Sequence, residues 1–291
     1  MTIQDIRDKF QERLSELYTK DEIDTIFFSL AETHLRKDKN IIRAGLHESW
    51  PELKDAEKHF DFALTNLMTG TPFQYVMGET QFMDHKLFVN PNVLIPRPET
   101  EELAEWIIQD YTNPNNEFDG NILDIGTGSG ALAIALKAAF PKASVHALDI
   151  SPEALEVAKN NAMYNHTKIN FHEIDILNTF LDDLPYFDII VSNPPYIPSS
   201  EKAEMQEQVS KHEPEIALFV PDEDPTVFYN KINQLALDKL KPKAAVYLEI
   251  HQNLMEETKK IFEFSFGKVN AKKDISNNWR MLKVQQPFTC K

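Results

Sequence analysis

The chain has 291 residues, of which 42% are hydrophobic, so it is long enough for two domains and can bury a substantial core. Its formal net charge of -16 disfavours a long nucleic-acid footprint, because phosphate binding needs a basic patch and the Lys and Arg residues are scattered. The only cysteine is Cys290, which excludes an intrachain disulfide. The nine histidines lack metal-ligand spacing, which argues against a metal site. No apolar run is long enough for a membrane span.

The N-terminal part predicts helices. Apolar residues recur at helical spacing in three segments, Ile6–Leu17, Ile23–Leu30 and, after Pro51, Phe60–Leu67. Gly70 and Pro72 then break the pattern. We expect a small helical bundle over residues 1–75, whose task is either packing or recognition of a substrate.

Residues 76–98 predict a hairpin followed by a linker. Gln81–Met83 and Lys86–Val89 have the composition of two short strands around a turn at Asp84 and His85. The run Leu94–Thr100 contains two prolines, and Pro98 followed by several glutamates is typical of a helix start.

Residues 99–291 form the third predicted segment, in which strands and helices alternate. The predicted strands are Ile122–Ile125, Ser144–Leu148, Ile169–Glu173, Phe187–Ser192, Ala244–Ile250, Phe266–Asn270 and Arg280–Val284. The predicted helices are Ala131–Ala139, Pro152–Tyr164, Val227–Leu240 and Asn253–Phe262. This alternation indicates an α/β fold with a mostly parallel sheet covered on both faces.

A glycine-rich loop, Asp124–Gly130, connects the first of these strands to a helix. Its glycines let the backbone approach a ligand, although a tight turn explains the loop equally well, and its spacing is not that of the dinucleotide fingerprint. Asp149 ends the next strand about 20 residues later, where an acid can bind ribose hydroxyls. Together they resemble the S-adenosylmethionine motif of Rossmann-like methyltransferases.

That resemblance implies a set of cofactor-binding residues. Asp124 suits the cationic methionine end, and Asp175, after the third strand, either meets the adenine edge or is a solvated loop acid. The full set is Asp124, Gly126, Thr127, Gly128, Ser129, Gly130, Asp149, Ile150, Asp175, Ile176 and Asn193.

The tetrapeptide Asn193–Tyr196 follows the strand Phe187–Ser192, and it is either an ordinary turn or a substrate site. An amide nitrogen is a poor nucleophile, so an enzyme can hold its N–H groups with acceptors and align it with a methyl donor. The Asn193 side-chain oxygen and the Pro194 carbonyl are two such acceptors, and Pro194 and Pro195 carry no competing N–H. Tyr196 can form a wall against the substrate plane. We therefore predict Asn193, Pro194 and Tyr196 as catalytic.

Three longer motifs resemble the release factor glutamine methyltransferase family along nearly the whole chain. They are Pro72–Gly78, Val93–Glu101 and Asn193–Ile197. Three shorter matches also fit the family pattern: Glu213-Pro214, Ala217-Leu218, and Lys273-Asp274 followed by Arg280. The run around Arg97 is the most specific, because base methyltransferases lack it. The chain departs from the family at Ile176, at His251, which we expect to be structural, and at Asn277, which tolerates a positive φ.

The resemblance implies a cytoplasmic enzyme that methylates the glutamine of a Gly-Gly-Gln loop in class 1 release factors and releases S-adenosylhomocysteine. The substrate-binding residues would be Asn193, Pro194, Pro195, Tyr196 and Arg97. A ribosomal protein glutamine methyltransferase is the nearest alternative, followed by a DNA or RNA amino-methyltransferase and a non-enzymatic binding module. We expect the protein to bind neither nucleic acid nor membrane. The sequence does not determine the oligomeric state, and we expect a monomer.

Overall fold

The computed structural model describes residues 1–112, 117–179 and 181–285, so Cys290 lies outside the described part. The chain divides into two compact units. The first combines Met1–Gly78 with Gln206–His212, and the second combines Glu79–Met205 with the chain from Glu213 onward. In the described part of the chain, no helix is both long and apolar enough to cross a membrane.

The first five elements are helices, and strands occur only after Gly78. The helices are α1 (Ile3–Leu14), α2 (Lys20–Leu35), α3 (Lys39–Ala44), α4 (Leu53–Met68), α5 (Phe73–Met77), α6 (Pro98–Tyr111), α7 (Ala131–Ala139), α8 (Pro152–Tyr164), α9 (Glu207–His212), α10 (Val227–Lys239) and α11 (Met255–Phe266). The strands are β1 (Glu79–Phe82), β2 (His85–Phe88), β3 (Asn121–Ile125), β4 (Ser144–Asp149), β5 (Ile169–Glu173), β6 (Phe187–Ser192), β7 (Ile197–Pro198), β8 (Phe219–Val220), β9 (Leu240–Glu249), β10 (Lys268–Lys273) and β11 (Trp279–Gln285).

The first unit is a helical bundle around three phenylalanines. Thr2 and Thr19 each form a capping box that starts α1 and α2. The rings of Phe10, Phe27 and Phe60 lie 5.7–6.2 Å apart at the centre. The prediction of helices here is confirmed.

One detail of the N-terminal prediction is wrong. Leu17 was assigned to the first helix, but α1 ends at Leu14 and the Leu17 side chain is 51% exposed. The chain turns after Leu14 to reach the cap at Thr19, which takes Leu17 off the helical face. The predicted break at Gly70 and Pro72 is confirmed, since α4 ends at Met68 and a separate short helix, α5, begins after Pro72.

A seven-stranded sheet forms the centre of the second unit, in the order β10-β11-β9-β6-β3-β4-β5. The strands from β9 to β5 are parallel, and β11 pairs antiparallel with β9 and β10. One face carries a core with α6, α7 and α8, and the other face carries a core with α10 and α11. The predicted mostly parallel sheet with both faces covered is confirmed.

The predicted hairpin is also confirmed, since β1 and β2 pair antiparallel. Buried Asn161, on α8, connects β2 to the glycine loop. Its Oδ1 accepts a hydrogen bond from the Phe88 N–H (2.6 Å), and its Nδ2 donates to the carbonyls of Phe88 and Ser129 (2.9 Å each). One asparagine therefore provides hydrogen-bond partners for three backbone groups of two separate segments.

Replacement of Asn161 by alanine should lower the free energy of unfolding by about 2–4 kcal/mol, because those buried backbone groups lose their partners. Urea denaturation monitored by circular dichroism measures the effect. The neighbouring exposed Asn160 is the matched control, and Asn160→Ala should change stability by less than about 0.5 kcal/mol. Equal losses in the two variants would contradict this role.

Candidate functional site

A cavity of about 220 Å³ lies where β3, β4, β5 and β6 end. β4 and β5 follow on one side of β3, whereas β6 pairs on its other side, so the strand order reverses there. In open α/β sheets, ligands bind at the carboxyl ends of the strands where the order reverses.

The glycine loop forms one wall of the cavity. Gly128 has φ of 53°, in the left-handed region, and its N–H donates to Asp149 Oδ2 at 2.8 Å. At Gly130, also at positive φ, an added Cβ would lie 3.2 Å from the Ala158 Cβ on α8. The loop therefore needs glycine at 128 for its conformation and at 130 for close packing.

Asp149 holds this loop and lines the cavity. Besides the Gly128 bond, its Oδ1 accepts a hydrogen bond from the Ser151 N–H at 3.0 Å. Burial raises the pKa of Asp149, and these backbone hydrogen bonds oppose that shift. Each carboxylate oxygen keeps a further lone pair, so the group can still accept from ligand hydroxyls.

Asp124 is buried and does not line the cavity. The Thr127 hydroxyl donates to its Oδ2 at 2.6 Å, whereas Oδ1 has no hydrogen-bond partner among the described residues. Burial raises the pKa of Asp124 to about 7. A cation beside this carboxyl would favour its ionised form.

The wall at the end of β5 is mainly apolar, with Ile174, Ile176 and Leu177. Asp175 lines the same region, and its carboxylate accepts hydrogen bonds from the Leu177 N–H (2.9 Å) and the Asn178 side chain (2.7 Å). Both the adenine contact and the plain loop role predicted for Asp175 are compatible with this placement.

The turn after β6 forms the opposite wall, to which Asn193 and Pro195 contribute. Asn193 Nδ2 donates to the Thr100 hydroxyl at 3.1 Å, and that hydroxyl donates to Glu249 Oε2 at 2.6 Å. The Tyr196 hydroxyl donates to Glu249 Oε1 at 3.0 Å, and burial raises the pKa of Tyr196. The turn is thus fixed through a buried carboxylate at the end of β9.

Arg97 lies outside this cavity. Its guanidinium donates to Glu213 Oε1 at 2.6 Å, and Glu213 Oε2 accepts a hydrogen bond from the Ile95 N–H at 3.2 Å. Glu213 is almost fully buried, so this ion pair fastens the proline-rich run before α6. The substrate contact predicted for Arg97 stays a prediction.

The structure brings about half of the predicted site residues to the cavity surface. Those that line it are Gly126, Gly128, Asp149, Ile150, Asp175, Ile176, Asn193 and Pro195, and those that do not are Asp124, Thr127, Ser129, Gly130, Pro194, Tyr196 and Arg97. Sequence reasoning missed several lining residues, among them Asn92, Leu94, Ile216 and Phe228. Leu94 lies in the conspicuous proline-rich run, but no pattern distinguished the other three.

The structure explains two departures from the family pattern, at Asn277 and at His251. Asn277 has φ of 66°, which confirms that this position needs a residue tolerant of the left-handed region. His251 Nδ1 accepts a hydrogen bond from the Asn253 N–H at 3.3 Å, and Nε2 lies 3.3 Å from Glu201 Oε2. His251 therefore caps a turn.

Residues 106–213 match the family described as "Methyltransferase small domain". The release factor glutamine methyltransferase of Flavobacterium psychrophilum is 42% identical, covering 98% of this chain and 99% of the relative. That of Bacteroides thetaiotaomicron is 39% identical, covering 78% of this chain and 80% of the relative. The crystal structure of a methyltransferase from Pyrococcus furiosus superimposes with a TM-score of 0.51 at 17% identity, covering 80% of this chain and 99% of that one.

Proposed function

This chain belongs to the release factor glutamine methyltransferase family, and on that premise we propose that it methylates a glutamine side-chain amide in class 1 peptide chain release factors. The proposed substrate is the glutamine of their Gly-Gly-Gln loop, and the proposed methyl donor is S-adenosylmethionine. The observation that carries the proposal is the placement of Asn193 and Pro195 on the same cavity as Gly128 and Asp149.

The residues around the cavity suit this cofactor. Asp149 offers acceptors for the ribose hydroxyls, and Ile174, Ile176 and Leu177 offer an apolar slot for an adenine ring. Asp124 is buried, and its Oδ1 has no hydrogen-bond partner among the described residues. We propose that it interacts with the cationic methionine end, since a cation nearby favours the ionised carboxyl. When bound, S-adenosylmethionine supplies an electrophilic methyl group on a sulfonium and leaves as S-adenosylhomocysteine.

The chain's own part in the reaction is to align a weak nucleophile. In the proposed complex, Asn193 Oδ1 and the Pro194 carbonyl accept the two N–H groups of the glutamine amide. Alignment of this kind has a ceiling of roughly 7–11 kcal/mol, and exclusion of water adds to it. The nitrogen attacks through its own lone pair and loses a proton afterwards, so no general base has to act before methyl transfer.

Several features weigh against the alternatives. The family membership favours release factors over a ribosomal protein, and the net charge of -16 disfavours DNA or RNA, whose binding needs phosphate contacts. The ordered glycine loop and the fixed Asn193 turn favour an enzyme over a non-catalytic binding module. We further propose a cytoplasmic monomer, consistent with a single cysteine in the chain, in which residues 1–75 recognise the substrate.

Replacement of Asp149 by alanine should weaken binding of S-adenosylhomocysteine by about 10- to 100-fold, because hydrogen bonds from the ribose to a charged acceptor are lost. Isothermal titration calorimetry measures the affinity, with thermal unfolding as the check that the fold survives. Glu173 pairs with Asp149 in the sheet and is exposed, so Glu173→Ala is the matched control. Unchanged affinity in Asp149→Ala would refute the ribose role.

Replacement of Asn193 by alanine should reduce methyl transfer to purified release factor by about 100-fold or more, because the amide loses an aligning acceptor. Affinity for S-adenosylhomocysteine should fall only modestly, since the residue is proposed to hold the substrate. Single-turnover kinetics and calorimetry separate the two effects, and Asn160→Ala, the same change on an exposed helix face, is the control. Near-normal turnover in Asn193→Ala would refute the acceptor role.

A further inference from the structure

Asn193 is the first member of a short hydrogen-bond chain that ends on a buried carboxylate. Its Nδ2 lies 3.1 Å from Thr100 Oγ1, and Thr100 Oγ1 lies 2.6 Å from Glu249 Oε2. Thr100 is 5% exposed and Glu249 is 1% exposed. Neither residue lines the cavity, and with both side chains buried they reach it through Asn193.

The direction of this chain follows from the number of protons available. A threonine hydroxyl has one proton to donate, and an ionised carboxylate can only accept. The proton of Thr100 must therefore point to Glu249, which leaves only lone pairs towards Asn193. An amide turned the other way would bring two acceptor oxygens together, so Nδ2 has to face Thr100 and Oδ1 has to face away from it.

We propose that Thr100 and Glu249 are positioning residues that fix the orientation of the Asn193 side-chain amide and so present its oxygen to the substrate. The inference rests on the proposed function, because only a substrate with N–H donors requires an acceptor at this place. In the reversed orientation the Asn193 NH₂ group would face the glutamine NH₂ group, and neither could accept a hydrogen bond from the other.

Each oxygen of the Glu249 carboxylate accepts a hydrogen bond from a hydroxyl, Oε1 from Tyr196 and Oε2 from Thr100. Burial raises the pKa of Glu249 overall, and the charge of Glu99 on α6 adds to the rise, whereas the Thr100 and Tyr196 hydroxyls and the positive charge of Arg280 on β11 oppose it. Arg280 is held by Asp274, since its Nε donates to Asp274 Oδ2 at 3.2 Å.

The element α10 supplies no further charge to this carboxylate. Its Tyr229 hydroxyl donates to the Glu249 backbone carbonyl at 3.3 Å, and burial raises the pKa of Tyr229. The hydroxyl therefore stays protonated, and the Glu249 side chain receives its hydrogen bonds from Thr100 and Tyr196.

A purely structural role for the same contacts is the competing explanation, because they also join α6 to β9. The two explanations differ for a threonine variant that keeps the shape of the side chain and loses its hydroxyl. Thr100→Val should lower kcat for methylation of purified release factor by about 10- to 100-fold, while affinity for S-adenosylhomocysteine changes by less than about threefold. Thr100→Ser, which keeps the hydroxyl, should retain most of the activity.

A reversal of the hydrogen-bond chain gives the sharper test. In the double variant Asn193→Asp/Glu249→Gln, the introduced amide can donate to Thr100, and the Thr100 hydroxyl can then donate to the introduced carboxylate. That carboxylate keeps a second oxygen for the substrate. In Asn193→Asp alone, the carboxylate and Glu249 compete for the single proton of Thr100.

The kcat of the double variant should therefore exceed that of Asn193→Asp by about tenfold or more. A structural role predicts the opposite, namely that the second substitution lowers activity further, and that result would overturn the inference. If the proteins that carry Glu249→Gln do not unfold cooperatively, the comparison of Thr100→Val with Thr100→Ser tests the inference. Equal kcat values for these two variants would overturn the inference. Wild-type enzyme without activity on release factor would refute the proposed function instead.

Discussion

The buried carboxylate of Glu249 is the interaction on which the arrangement of the site depends. A carboxylate removed from water is destabilising unless it is paired and hydrogen-bonded. Here the partners come from separate elements: Thr100 from α6, Tyr196 from the turn after β6 and the charge of Arg280 from β11. Satisfying one group at the end of β9 therefore draws these elements to the same edge of the sheet and holds the Asn193 turn against them.

The sheet topology supplies the other half of the site. Parallel strands end at a common edge, and the reversal of strand order at β3 leaves room between the β3 loop and the β6 turn. Asp149 closes the glycine loop from one side through Gly128, and Asn161 holds it from the other through Ser129. The glycine loop and the Asn193 turn therefore form opposite walls of one cavity, because β3, β4, β5 and β6 end at the same edge of the sheet.

Most of the second unit could be predicted from the sequence, since buried parallel strands are short continuous apolar runs and their crossover helices are amphipathic. The boundaries of α7, α8, β5 and β6 were predicted as observed. The helices α3, α5 and α9 have five or six residues, and β7 and β8 have two residues each. Segments this short show no period that a sequence pattern could reveal.

The candidate site was predictable only where a motif lay on the cavity itself. Asp149 ends β4 and Asn193 directly follows β6, so their place at the sheet edge followed from topology. The link from Thr100 to Glu249 joins positions 149 residues apart, and no local pattern announces it. Arg97 was a conspicuous residue in a specific motif, yet its contact with Glu213 depends on a loop 116 positions away.

Identification of the atom that receives the methyl group tests the central claim most directly. One reaction with methyl-labelled S-adenosylmethionine would contain three competing substrates. They are purified release factor, the unmodified form of a ribosomal protein that is methylated on glutamine, and DNA. The site would then be mapped by mass spectrometry of the digested products. The account predicts one methyl group on the loop glutamine of the release factor, and none after that glutamine is changed to glutamate. Label on a lysine, on the ribosomal protein or on DNA, with the loop glutamine unmodified, would contradict it.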